Sequence, residues 1–217
     1  MRLRIIIVVL SLLPPLCMAG NPASTSYVDQ QVALAKAALV ARINSSTAIA
    51  HPVGSCYGGG VVFYVNTTPN APVGQQGLIA ALTDVSNATY LWNTNPSSIN
   101  TATALFTGAS NTAIILQSPD GQAGNTHAAI AANGYTEGTY HDWYLPSQSE
   151  LSQLQIQLNT TSTLFTKCTG TNPSSANQYW SSSRYDTDNA WYISFGNGVV
   201  YVNPVNTSYL VRAIRAF

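Results

Sequence analysis

The stretch Tyr179–Gly198, YWSSSRYDTDNAWYISFGNG, decides how this chain is read. It gathers two aspartates, an arginine and several large aromatics in a protein of which only 7% of residues are charged. A catalytic site, a metal loop, a ligand surface and a plain pair of strands all compete for it. In AWYISF, side chains alternate between two faces. Trp191, Ile193 and Phe195 share one and are expected in the core, while Tyr192 points the other way with Ala190 and Ser194. Gly196-Asn197-Gly198 followed by VVYVN reads as a hairpin, because Asn-Gly suits the positive dihedrals of a tight turn. The stretch is therefore two strands, with the connection Arg184 to Asn189 left over for function.

Outward from it, the periods alternate between strand and helix. GGGVVFYVN (58–66) and GLIAALTDVS (77–86) read as strands. GNTHAAIAANGY (124–135) reads as a short helix ended by Gly134. In WYLPSQSELSQLQIQLNT (143–160), Ser147 and Glu150 form an S-x-x-E capping box after Pro146, and Leu151, Leu154 and Leu158 follow at helical spacing. YLVRAIRAF (209–217) closes as a last strand, on which Arg212 and Arg215 would lie on opposite faces, so that at least one needs a partner. Two helices and several short strands in this order make an α+β domain over 51–217.

The N-terminus has a different character. Arg2 and Arg4 precede the apolar run Ile5–Leu13, which is too short to span a bilayer, and a small residue stands at Ala19. These features predict a secretory signal peptide over 1–19, and hence an exported, soluble chain with no transmembrane segment. Next, Val28, Val32, Ala35, Leu39 and Ile43 fall on one helical stripe, with Ser26 and Asp29 as a capping box. A helix over 24–46 is expected, either lying on its own domain or acting as the stem of a short parallel coiled coil.

Eight basic residues balance eight acidic ones, and losing Arg2 and Arg4 with the signal leaves six against eight, a net −2. No basic face offers itself to nucleic acid. After cleavage the cysteines are Cys56 and Cys168, an even count that predicts one disulfide in an oxidising compartment. It would close a loop of roughly a hundred residues, for which chain entropy gives at most about 4 to 5 kcal/mol.

GGGVVFYV, HDWYLPSQSEL, YWSSSRYDTDNAWYISFGNG and VRAIRAF, spread in order over 51–217, closely resemble the C-terminal domain of the Legionella collagen-like adhesins. The resemblance implies a C-type-lectin-like fold, a homotrimeric secreted or surface adhesin and binding of glycans, sulfated polysaccharides among them. Two features depart from the pattern. No collagen-like Gly-X-Y run is present, and the domain has only Lys167, Arg184, Arg212 and Arg215 against seven carboxylates.

The other chemistries find less support in the residues. His51, His127 and His141 are the only candidate bases, and none stands in a motif coupling it to a nucleophile. No His or Cys pair has zinc-ligand spacing. Asp186, Asp188 and Asn189 offer oxygens to calcium, but they are too few for its six to eight ligands and are ordinary turn residues. No cofactor or metal is expected, and Trp143 and Trp180 are read as core. The candidate ligand-binding residues are Arg184, Tyr185, Asp186, Asp188, Asn189 and Tyr192. A flat ring beside Asp, Asn and Arg suits a carbohydrate, whose C–H faces stack and whose hydroxyls take planar hydrogen bonds. A self-association module of a biofilm matrix and a hydrolase are the alternatives.

Overall fold

A computed structural model of the chain describes residues 28–39, 51–68, 71–94, 99–119 and 127–217. The chain divides into two compact units, Met1–Leu39 and Val40–Phe217. In the first, residues 28–39 are helical, and the stripe residues Val28, Val32 and Leu39 are about half exposed. The expected signal peptide and the flanks of the expected 24–46 helix lie outside the described residues. No helix among the described residues is long and apolar enough to cross a membrane.

The second unit is a mixed α/β fold whose strand ladders are all antiparallel. Its elements are β1 (Cys56–Tyr57), β2 (Gly60–Val65), β3 (Gly77–Ala81), β4 (Tyr90–Leu91), α1 (Gly108–Leu116), α2 (Ala128–Asn133), α3 (Gln148–Thr160), a 3₁₀ turn (Thr166–Cys168), β5 (Gln178–Arg184), β6 (Asn189–Ser194), β7 (Val200–Pro204), β8 (Ser208–Tyr209) and β9 (Ile214–Ala216). They form a sheet of order β1-β2-β3-β9, a ribbon β4-β8 and a sheet β5-β6-β7.

The apolar runs of β2 and β3 are continuous because both of their faces are buried. Val61, Phe63, Leu78 and Ala80 enter one core with Leu151, Leu154, Phe165, Tyr179 and Ile193. Val62, Ile79 and Ala81 enter a second with Trp92, Ile115, Ala128, Trp143 and Trp180. Trp143 and Trp180 are therefore core residues, as their motifs imply. At Gly60 a Cβ atom would collide with the Ala80 carbonyl oxygen, so β2 can pair this closely with β3 only through glycine.

α3 begins as its sequence dictates. The Ser147 hydroxyl accepts from the Glu150 amide and the Glu150 carboxylate accepts from the Ser147 amide at 2.6 Å. α2 likewise ends at Gly134. α1 has no clear signal in the sequence, since its inward face sets Asn111 and Thr112 beside Ile115. Asn111 exchanges two hydrogen bonds with the Ala102 backbone, at 2.9 and 2.7 Å, and the Thr112 hydroxyl accepts from the Leu145 amide at 3.0 Å.

Three expectations need correction. Of Asn197 and Gly198 only Gly198 has positive φ, at 71°, so the hairpin turn uses one left-handed residue. The closing segment is two short strands, with Leu210–Ala213 buried between them. Leu210 bonds to β5, Val211 to Val85 and Ala213 to Ala81, which draws the separate sheets together. Trp191 is half-buried, while Ala190 on the opposite face is fully buried.

Arg212 lies at the centre of this closure with its side chain wholly buried. Its Nε donates to Asp84 Oδ1 at 2.8 Å, and its Nη1 to the carbonyls of Ala81 and Thr171 at 2.9 and 3.0 Å. The guanidinium stacks over the Phe165 ring at 4.9 Å. Asp84 Oδ2 accepts from the Tyr179 hydroxyl at 3.0 Å, and that oxygen in turn accepts from the Ser174 amide at 2.9 Å. Arg215 is also partnered, holding Asp142 through two bonds at 2.7 and 2.8 Å and lying 4.3 Å over the Tyr140 ring. Cys56 and Cys168 form a disulfide with a Cα separation of 5.4 Å, joining β1 to the 3₁₀ turn.

Replacing Arg212 by Met should strand a carboxylate and two carbonyls, and urea unfolding should show a loss of about 3 to 5 kcal/mol. Arg212→Lys should recover little of it, because one ammonium cannot reproduce the fork.

Glu150 predicts the pH dependence. Burial pushes its carboxyl up from 4.5 to about 7, against the downward pull of bonds from Ser147 and of the amides of Gly108 and Phe106. The folded protein thus holds this proton more tightly than the unfolded chain does. The resulting stabilisation is complete below the unfolded value and is lost as pH rises through about 7. Its size is about 3 kcal/mol, and Asp142 and Asp186, both shifted downward, act only at lower pH. The urea midpoint should rise on going from about pH 8 to pH 5, and Glu150→Gln should flatten that rise.

Candidate functional site

β5 and β6 are joined by a four-residue connection that is held by its own side chains. The amides of Tyr185 and Asp186 donate to the Asn189 carbonyl at 2.9 and 3.3 Å. Asp186 Oδ1 accepts from the Asp188 amide at 2.9 Å, the Asn189 amide at 2.8 Å and Asn189 Nδ2 at 2.9 Å, and Oδ2 accepts from Nδ2 at 3.0 Å. The Asp188 amide foremost, together with Asn189, holds the Asp186 carboxyl below the usual carboxylate range. This is an Asx turn doubled by a side-chain pair. It occupies both carboxylate oxygens of Asp186.

Arg184 is equally committed. Its Nε donates to the Asp186 carbonyl and its Nη1 to the Ile99 carbonyl, while its backbone amide donates to Thr101 Oγ1 at 2.7 Å. The Ser181–Ser183 run before it is fully buried. Ser181 donates to the Trp191 carbonyl at 2.7 Å, Ser183 donates to Ala102 at 2.6 Å, and the Gln148 amide donates to Ser183 at 3.0 Å. These serines are a polar seam tying β5 to the 101–104 segment and to the start of α3. The commonness of serine hid them in the sequence.

Tyr185 is 56% exposed, and its ring meets Trp191 edge to face with centroids 4.9 Å apart. Trp191 pairs across the sheet with Val202, itself 38% exposed. Tyr185, Trp191 and Val202 thus make a small apolar platform beside the rigid turn. Asp188 accepts from Thr187 Oγ1 at 3.0 Å, and Asn189 opens β6. Tyr192 is not brought to this platform, because it follows Trp191 on β6 and so faces the other side of the sheet. There it lies against Tyr209 and Tyr201, and burial followed by the Tyr209 hydroxyl pushes its phenol up to about 12.

The basic residues do not converge. Arg212 is buried on Asp84, Arg215 is tied to Asp142, Arg184 closes its own turn, and Lys167 is exposed on the 3₁₀ turn. Asp142, next to His141 in sequence, is held by Arg215, which lowers the pKa of its carboxyl. Among the described residues no group of three or more His, Cys, Asp or Glu could hold a metal ion.

Antiparallel sheets, two cores and a disulfide-tied edge describe a module of the kind found outside the cell or on its surface. Residues 83–215 match the family model of the Lcl C-terminal domain, which is more than half of the chain, and the protein belongs to that family. It is accordingly a surface or adhesin-type module. No curated protein matches the sequence. A solved structure that resembles it is that of a fimbrial protein from Bacteroides ovatus ATCC 8483, at 14% identity and a TM-score of 0.48. The match covers 77% of this chain and 45% of that one, so the chain spans less than half of that protein's length.

Proposed function

We propose that the protein is a secreted or cell-surface bacterial adhesin whose second unit, a C-type-lectin-like head, binds glycans without catalysis. The observation that carries this reading is the Tyr185 ring, presented at 56% exposure on a turn whose charged groups are already bonded within the protein. A platform that is rigid before binding loses little entropy on contact, and an aromatic ring stacks on the C–H face of a sugar. With Arg212 and Arg215 held by carboxylates, recognition of a sulfated polymer would fall to scattered cations. Stacking and neutral hydrogen bonds support the reading better. Self-association is the second reading. It is favoured by β7, an edge strand on which Tyr201 and Val202 are 39% and 38% exposed, with Val199 just before it at 43%.

A glycan array followed by affinity measurement separates the two. A defined sugar should bind with an affinity that falls less than about tenfold between low and physiological salt, whereas six to ten ionic contacts would lose about a thousandfold or more. Tyr185→Ala should weaken binding about tenfold, a loss of about 1.4 kcal/mol. Aggregation that no sugar inhibits would favour self-association, and tight heparin binding that salt removes would favour a basic groove.

The half-exposed stripe Val28, Val32 and Leu39 supports a second part of the reading, a homotrimer assembled by the N-terminal helix as a short coiled coil. Light scattering on the mature protein should give three times the chain mass, and deletion of 26–46 should give a monomer. A trimer unchanged by the deletion would place the contacts in the head.

A further inference from the structure

On the sheet face opposite the Tyr185 platform, a row of tyrosines runs from the β4-β8 ribbon onto the β5-β6-β7 sheet. Tyr90 pairs directly with Tyr209 across the ribbon. Tyr209 lies 4.5 Å from Tyr192, and Tyr192 stacks on its cross-strand partner Tyr201 at 5.5 Å with ring planes 25° apart. The first three rings are half-buried and Tyr201 is 39% exposed; neighbouring rings cover one another's faces, which leaves their edges and the outer face of Tyr201, on the edge strand, toward solvent.

Trp180, fully buried, fixes the row from beneath. It packs against Tyr209 at 4.7 Å and Tyr192 at 6.0 Å, and its Nε1 donates to the Tyr90 carbonyl at 2.9 Å. Asparagines fix the phenols at the rim. Asn203 Nδ2 donates to the Tyr209 oxygen at 2.6 Å and Asn197 Nδ2 to the Tyr201 oxygen at 3.0 Å. A phenol that accepts an amide proton keeps its own O–H as a donor. Tyr201 therefore offers an exposed ring face and an oriented hydroxyl at the same point. No carboxylate, ammonium or guanidinium belongs to the row.

We propose that the row Tyr90–Tyr209–Tyr192–Tyr201 is a second binding surface, distinct from the Tyr185 turn, which takes an extended neutral polysaccharide along successive rings. The chemistry selects that ligand. The outer face of Tyr201 matches one sugar unit, the ring edges behind it match the C–H groups of the units that follow, and the Tyr201 O–H matches a hydroxyl or ring oxygen. Without a charged group the surface gives a polyanion nothing to pair with. Rings locked on Trp180 and by Asn197 and Asn203 are ordered before binding. The inference rests on the reading that the head binds glycans, but it assigns the binding to the other face.

The test is retention of the head's parent protein on immobilised dextran, mannan, galactan and xyloglucan, with heparin as the polyanion. At least one neutral polymer should retain it, with little dependence on salt. Tyr201→Ala should weaken that retention at least tenfold and Tyr201→Phe should weaken it less, with far-UV circular dichroism showing that both variants remain folded. On titration with the retaining polymer's oligosaccharides, NMR signals of the Tyr201 and Tyr192 rings should shift while those of Trp191 stay still, a readout that does not depend on any variant folding. If Tyr201→Ala has no effect while Tyr185→Ala abolishes retention, the row is overturned and the turn remains the site. If the reverse holds, the row stands and the turn does not. Retention on heparin alone, or on none of the polymers, overturns the row.

Discussion

The buried guanidinium of Arg212 is the interaction on which the rest of this fold depends. Two stretches distant from it in sequence meet at it, Ala81 and Asp84 after β3 and Phe165 and Thr171 on either side of the 3₁₀ turn, and the Tyr179 hydroxyl of β5 joins them through Asp84. A buried cation is tolerated when its charge is paired, and here a carboxylate and two carbonyls take Nε and Nη1 under the Phe165 ring, while Nη2 has no partner among the described residues. This requirement makes the chain between β8 and β9 run extended through the interior, bonding alternately to β5, Val85 and Ala81. Satisfying one charge thereby joins sheets that share no continuous ladder.

The strands that separate the two cores follow from the same economy of charge. With so few ionisable groups, the fold is organised by apolar burial on both faces of β2 and β3 and by neutral hydrogen bonds where the backbone must be satisfied inside. Asn111, Thr112, Ser181 and Ser183 perform that second task, each holding a main-chain group of a neighbouring segment, and Ser182 accepts from Asn111 Nδ2. Glu150 is the exception, a carboxyl buried to satisfy a helix start and raised toward neutrality as a consequence.

The same commitment of charge shapes the surface. Arg184 and Asp186 stiffen the turn between β5 and β6, and aromatic rings are left as the groups that can meet a partner. They occur on both faces of one small sheet, Tyr185 with Trp191 on one and Tyr192 with Tyr201 on the other. Alternation along β6 makes this unavoidable, since adjacent aromatic residues on a strand cannot share a face.

Local signals in the sequence were sufficient for β2, β3, β5, β6 and β7, for the capping box of α3 and for the glycine stop of α2, because each depends on residues within a few positions of one another. The Cys56–Cys168 pairing was legible for a different reason, since only two cysteines lie beyond the leader expected over 1–19. Tertiary structure decided the rest. α1 escaped because its buried face mixes Ile115 with Asn111 and Thr112, whose partners Ala102 and Leu145 are fixed only by the fold. The YLVRAIRAF strand broke in two because Arg212 had to reach Asp84, more than a hundred residues earlier. For the site, the sequence determined that Tyr185 to Asn189 lie in a turn and that Tyr192 faces away from Trp191. Whether Arg184 and Asp186 face a ligand or each other's backbone was set by the distant Ile99 carbonyl and by closure of the turn, and the row from Tyr90 to Tyr201 exists only because two separate sheets are brought edge to edge over Trp180.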